Sequence, residues 1–147
     1  MIEMTHKTID VRMVIESVST PESGGVDVFI GTTRNHSGER KVLRLEYEAY
    51  EPMAVRMMEQ IAGQAKRTWD LHAASIVHRL GKVSIGEASV VIAVSASHRE
   101  EAFKACRFLI DELKRIVPVW KREYFEDGSV EWSQHSHEQN VRVEREE

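Results

Sequence analysis

The sequence predicts an α+β or mixed-sheet α/β fold, and three observations predict it. The hydrophobic period switches between strand-like and helix-like stretches in the order β?-α-β-β-α-β-β-α-β-β, where the opening segment is the ambiguous one. No internal repeat and no linker divides the 147 residues, a length that fits one domain, 1–147. One segment, "ASVVIAVSAS", is almost continuously apolar, as a central strand covered on both faces must be.

Each element has its own justification. Residues 10–18 place Val11, Val14, Ile15 and Val18 at i, i+3, i+4 and i+7, the stripe of an amphipathic helix. "STPESGG" is a loop by its turn residues, and "VDVFIG" is a strand by its β-branched and aromatic content. "TTRNHSGERK" is polar and cationic and breaks the pattern. "VLRLEYEAY" then alternates Leu43, Leu45, Tyr47 and Ala49 with Arg44, Glu46 and Glu48, a strand with one wet face. Glu51-Pro52 opens a second helix, because proline's missing N–H costs nothing in a first turn. Ala54, Met57, Met58, Ile61 and Ala65 keep helical spacing as far as Trp69. "AASIVHRLG" and "ASVVIAVSAS" follow as strands joined by a turn around Gly86. Ser97 is expected to cap a third helix with Glu100 as its capping-box partner, and Phe103, Cys106, Ile110 and Leu113 to share its buried face. Pro118 ends that helix, "PVWKREYF" leaves extended, and Asp127-Gly128 marks a hairpin turn. Residues 133–147 are polar and expected to form a loosely held tail.

Composition limits the function. The formal charge of −4 argues against bulk nucleic-acid binding, so any cationic site must be local. No apolar run approaches the ~20 residues of a membrane span, and the first ten residues lack the build of a secretory signal. A single cysteine, Cys106, allows no internal disulfide, which makes the reducing cytoplasm the default compartment.

Among candidate groups, Cys106 sits mid-helix on the apolar face, where a thiol is inert, so packing is its expected role. His135, His137 and Glu138 lack the further ligands of a metal site, and neither a phosphate loop nor a nucleophile elbow occurs. What remains is cationic. Arg34 and His36 follow a strand, His98 and Arg99 open a helix whose N-terminus favours anions, and Lys114 and Arg115 end that helix. Lys121 and Arg122 lie on the extended segment beyond it. Each pair alone reads as solvated surface charge; together they suggest an anion pocket. Clustered cations lower a lysine's proton affinity, so such a lysine could serve as acid/base or as nucleophile.

The segments "VFIGTTRNH", "LEYEAYEPMA", "HRLGKVSIGEASVVIAVSASHREEAF" and "LKRIVPVWKRE" resemble the large, catalytic subunit of molybdopterin synthase, in consistent order from about residue 26 to 132. The resemblance implies an α/β hammerhead with an added antiparallel β subdomain. It implies a sulfurtransferase that inserts two sulfur atoms into cyclic pyranopterin monophosphate to form the molybdopterin dithiolene of the molybdenum cofactor. The sulfur would arrive as a thiocarboxylate on the C-terminal Gly-Gly of a small ubiquitin-like subunit. A large-subunit homodimer would carry one small subunit at each end, a heterotetramer with no metal or other cofactor of its own. Carried over by motif, Lys114 and Lys121 match the family's two functional lysines and Arg34 its pocket arginine. His98 and Arg99 match a substrate-binding pair supplied partly by the neighbouring protomer, and Thr32, Thr33, Arg122 and Glu123 match flanking positions. Lys114 would act as acid/base or acyl acceptor, with Lys121 and Arg34 holding phosphate or stabilising developing charge. The family's basic residue after the tryptophan matching Trp132 has no clear counterpart; a tail histidine or Arg142 stands in that region. Two other functions compete: a non-catalytic adaptor that docks the Gly-Gly tail, and a lysine Schiff-base enzyme acting on a phosphorylated carbonyl compound.

Overall fold

The computed structural model describes residues 1–134. Two sheets share the chain. The first has the order β1-β5-β7-β2, built from β1 (Ile2–Thr5), β2 (Gly25–Thr32), β5 (Ala73–Arg79) and β7 (Ala88–Ala96). Its β1/β5 pair is parallel and its other pairs antiparallel. The second joins β3 (His36–Ser37), β4 (Arg40–Ala49), β8 (Val119–Phe125) and β9 (Val130–Gln134), with β6 (Gly81–Ser84) also paired to β4. All of its pairs are antiparallel, so the expected α+β architecture with an antiparallel subdomain is the one observed.

Strand alternation creates two cores. On β5 and β7, Ile76, Ile92 and Val94 face one way, and Val77, Val91 and Ala93 face the other. Against the smaller face packs α1 (Val11–Val18), capped by Asp10, whose carboxylate accepts from the Met13 N–H at 3.2 Å. Against the larger face pack α2 (Glu51–Trp69) and α3 (Arg99–Ile116), which contribute Met58, Ile61, Leu109 and Leu113. β7 is therefore covered on both sides, as its unbroken apolar run requires.

Five expectations give way here. β6 is a strand where only a turn was read, because four residues with one buried side chain, Val83, leave no visible period. Leu43 is 49% exposed: a bulge between Val42 and Arg44 turns Val42 inward in its place. The cap of α3 is His98, with no side-chain bond; Ser97 Oγ lies 3.3 Å from His72 Nε2, and Glu100 pairs with Lys104 at 3.0 Å. Phe103 is 58% exposed, since the buried stripe of α3 runs through Ala102, Ala105, Cys106, Leu109 and Leu113. Small alanines let the helix approach the sheet, and Phe103 stands about 100° off that stripe. The expected tail also starts late, because Ser133 and Gln134 pair with Lys121 and Trp120 in β9. The candidates His135, His137, Glu138 and Arg142 lie outside the described residues.

Candidate active site

Pro118 organises the site. It stops α3 after the Val117 cap and sends the chain straight into β8, so the last helical turn and the new strand diverge from one buried anchor, Val117 and Val119. Each basic pair is then split by its element. In α3, Arg115 turns outward to Glu112 at 2.7 Å, whereas Lys114 lines a cavity of about 450 Å³. In β8, Lys121 and Glu123 stand opposite Tyr47 and Leu45 and face the same cavity. Arg122 stands opposite Glu46 on the other face of the sheet, 3.8 Å from Glu46, 3.5 Å from Glu48 and 4.1 Å over the Trp132 ring.

The third cation comes from the loop after β2. A register shift between Gly31 and Thr32 bends the strand end, and a side chain at Gly31 would meet Val90 Cγ1 at 2.8 Å. Thr33 is buried and fixed at both backbone groups, its N–H donating to Glu87 O and its carbonyl accepting from the Gly86 N–H. Thr33 is thus an anchor of the loop. It holds the next residue, Arg34, at the cavity, where Thr32 and His36 also line the wall.

Arg34, Lys114 and Lys121 therefore converge from three elements on one cavity. Glu123 and Glu131 sit cross-strand from each other on the same wall, and Glu131 is drawn to Arg40 at 2.6 Å. That hydrogen bond, with the charges of Glu131 and Asp127, raises the already high pKa of Arg40. His98 and Arg99 are not at this cavity: they open α3, about 22 Å along its axis from Lys114.

Three lining groups escaped the sequence reading. His78 and Tyr47 pack edge to face, ring centroids 5.0 Å apart, and Trp132, whose ring lies under Arg122, borders the cavity at its rim. The signal for His78 was its place as a polar residue inside the apolar run "SIVHRL". Cys106 behaves as expected: burial, then the neighbouring Asp27 carboxylate, push its thiol up to about 12, far from a thiolate at neutral pH. Among the described residues no cluster of His, Cys, Asp and Glu could hold a metal.

An open, cationic cavity with two carboxylates on one wall can bind a phosphorylated or carboxylate ligand and move protons through an amine. Comparison with known proteins narrows the field. Residues 4–116 match the family described as MoaE protein. The molybdopterin synthase catalytic subunit of Bacillus subtilis is 46% identical over 126 residues, 86% of this chain and 80% of that protein. The crystal structure of molybdopterin synthase from Staphylococcus aureus superposes with a TM-score of 0.86 at 37% identity, over 91% of this chain and 97% of that one. A complex of subunits 1 and 2 of molybdopterin-converting factor from Helicobacter pylori shares the fold, with a TM-score of 0.75 at 20% identity over 90% of each chain. The chain belongs to the MoaE family.

Proposed function

We propose that the chain is the catalytic subunit of a molybdopterin synthase, a sulfurtransferase that moves sulfur from a carrier's C-terminal thiocarboxylate to cyclic pyranopterin monophosphate. The observation that carries this reading is the convergence of Arg34, Lys114 and Lys121 on one cavity in a MoaE-family chain. Both reactants are anions, and three cations in one partly enclosed space supply the charge to hold them together. Sulfur leaves the carrier's acyl carbon, an oxygen from water replaces it, and a carboxylate remains. Lys114 is the amine that moves protons or transiently accepts the acyl group; Lys121 and Arg34 hold the phosphate and stabilise charge that develops on oxygen. The sulfur is imported, in keeping with an inert Cys106.

The carrier is a small ubiquitin-like subunit whose Gly-Gly tail, lacking side chains, enters the cavity as an extended strand. The working unit is a homodimer within a heterotetramer, in the cytoplasm, with residues 1–147 acting as one domain. No helix among the described residues is long and apolar enough to cross a membrane. β2 supports the homodimer: among the described residues it is the open edge of its sheet, with Val26 and Ile30 exposed and Phe103 exposed on the adjacent α3. Gly25 at the start of β2 packs on Arg99, and Arg34 follows its end. Antiparallel pairing of β2 with its copy would bring His98 and Arg99 of one protomer to the Arg34 end of the other.

The test mixes the full chain with thiocarboxylated carrier and the pyranopterin and reads the carrier's C-terminus by mass spectrometry. Conversion to carboxylate that requires both the chain and the pterin supports the transferase. Binding of the carrier without turnover identifies the adaptor instead.

A further inference from the structure

One buried titratable group on the cavity wall has no part in the chemistry above. His78, on the inner strand β5, is 1% exposed and lines the cavity with Lys114. Its Nδ1 lies 2.8 Å from the Arg79 carbonyl oxygen. A carbonyl only accepts, so Nδ1 carries the proton and Nε2 carries the lone pair. The groups that face the ring come from several elements. Tyr47 meets it edge to face from β4, with Lys121 across from Tyr47 on β8. Lys114 acts on it from α3, while its register partners on β7 and β1, Val90 and Met4, carry no charge. Glu123 lines the same cavity, and Arg79 turns to Glu87 at 3.1 Å.

We infer that His78 is a positioning residue for Lys114: the Arg79 carbonyl locks its tautomer, and the fixed Nε2 lone pair holds the Lys114 amine in place as an ammonium. The role assigned to Lys114 rests on the proposed transfer reaction; the pairing with His78 does not. The imidazole stays neutral throughout. Burial pushes its pKa down to about 4, the bond to the Arg79 carbonyl opposes that fall, and the charge of Lys114 adds to it. A neutral, aprotic nitrogen beside a lysine favours the ammonium by accepting from it, which a carboxylate would do too strongly for an amine that must also release its proton.

The experiment is trace acetylation of the full chain alone at about pH 8, with the Lys114 peptide quantified by mass spectrometry. His78→Asn keeps a donor for the Arg79 carbonyl but loses the distal lone pair. His78→Gln keeps an acceptor at the distal position, and His78→Phe keeps neither. Lys114 is expected to label about threefold or more faster in the Asn and Phe variants, because more of its amine is neutral, with Gln returning most of the way to the parent rate. Unchanged or slower labelling in Asn and Phe overturns the inference, as does Gln behaving like Asn. Should the variants not fold, nitrogen NMR of the parent chain decides: the His78 Nε2 resonance moves in Lys114→Ala, and its failure to move overturns the pairing. Neither readout uses carrier or pterin, so a chain that fails at sulfur transfer can still pass.

Discussion

Lys114 in the last turn of α3 and Lys121 in β8 line one cavity, although each is followed in sequence by an arginine that does not. The two elements sort the charges by different geometries. The helix rotates Arg115 about 100° away, to Glu112, and the strand's alternation sends Arg122 to the opposite face, to Glu46 and Glu48.

This sorting predicts unequal effects of neighbouring substitutions. Lys114→Ala and Lys121→Ala should each lower pyranopterin turnover by about 10²–10³-fold, the scale for loss of one charge-stabilising or proton-transferring group. Arg115→Ala, which removes an exposed guanidinium paired to Glu112, should cost less than about tenfold. Thermal melts should show all three folded, and steady-state rates provide the comparison.

Arg34 stands on a loop and touches the site by charge. Arg34→Ala should raise the Km for the pyranopterin by about tenfold or more and lower kcat less, as loss of a ground-state phosphate contact does. A fall in kcat alone would place Arg34 in the chemical step.

His78 also makes stability depend on pH. The unfolded imidazole takes a proton near 6.5, while the folded one resists until about 4. Stability from this group is therefore complete above 6.5, is lost as pH falls through that window, and loses nothing further below about 4. The loss is of order 1–3 kcal/mol, and denaturant melts at stepped pH should show it in the parent chain and not in His78→Gln.

The open edge of β2 predicts a further result. Ile30→Lys places like charges at a self-paired edge and should convert a dimer to monomer in light scattering. If His98 and Arg99 serve the neighbouring cavity, that monomer should also lose turnover, while His98 and Arg99 substitutions in the dimer mimic the loss.

Much of the fold was legible because its signals are local. Pro118, the stripe of α2 and the unbroken run of β7 each report on their own neighbourhood, and each element stands where those residues put it. The failures share the opposite property. Leu43 is turned out by a bulge that depends on its pairing with β8, Phe103 by the close packing that the alanines of α3 permit, and β6 exists only as an edge to β4. The site divides in the same way. Lys114, Lys121 and Arg34 were found as clustered charge, but which member of each basic pair faces inward is a matter of register. His78 reads as an ordinary core residue until β5, β4 and α3 are assembled around it.

The central claim is that Lys114 performs the transfer in the cavity it shares with Arg34 and Lys121. Its most direct measurement is a single-turnover reaction of Lys114→Ala with thiocarboxylated carrier and pyranopterin, followed by mass spectrometry of the carrier's C-terminus. The expected result is a carrier that stays bound to a folded chain and keeps its sulfur while the parent chain releases the carboxylate. Release at the parent rate would contradict the assignment.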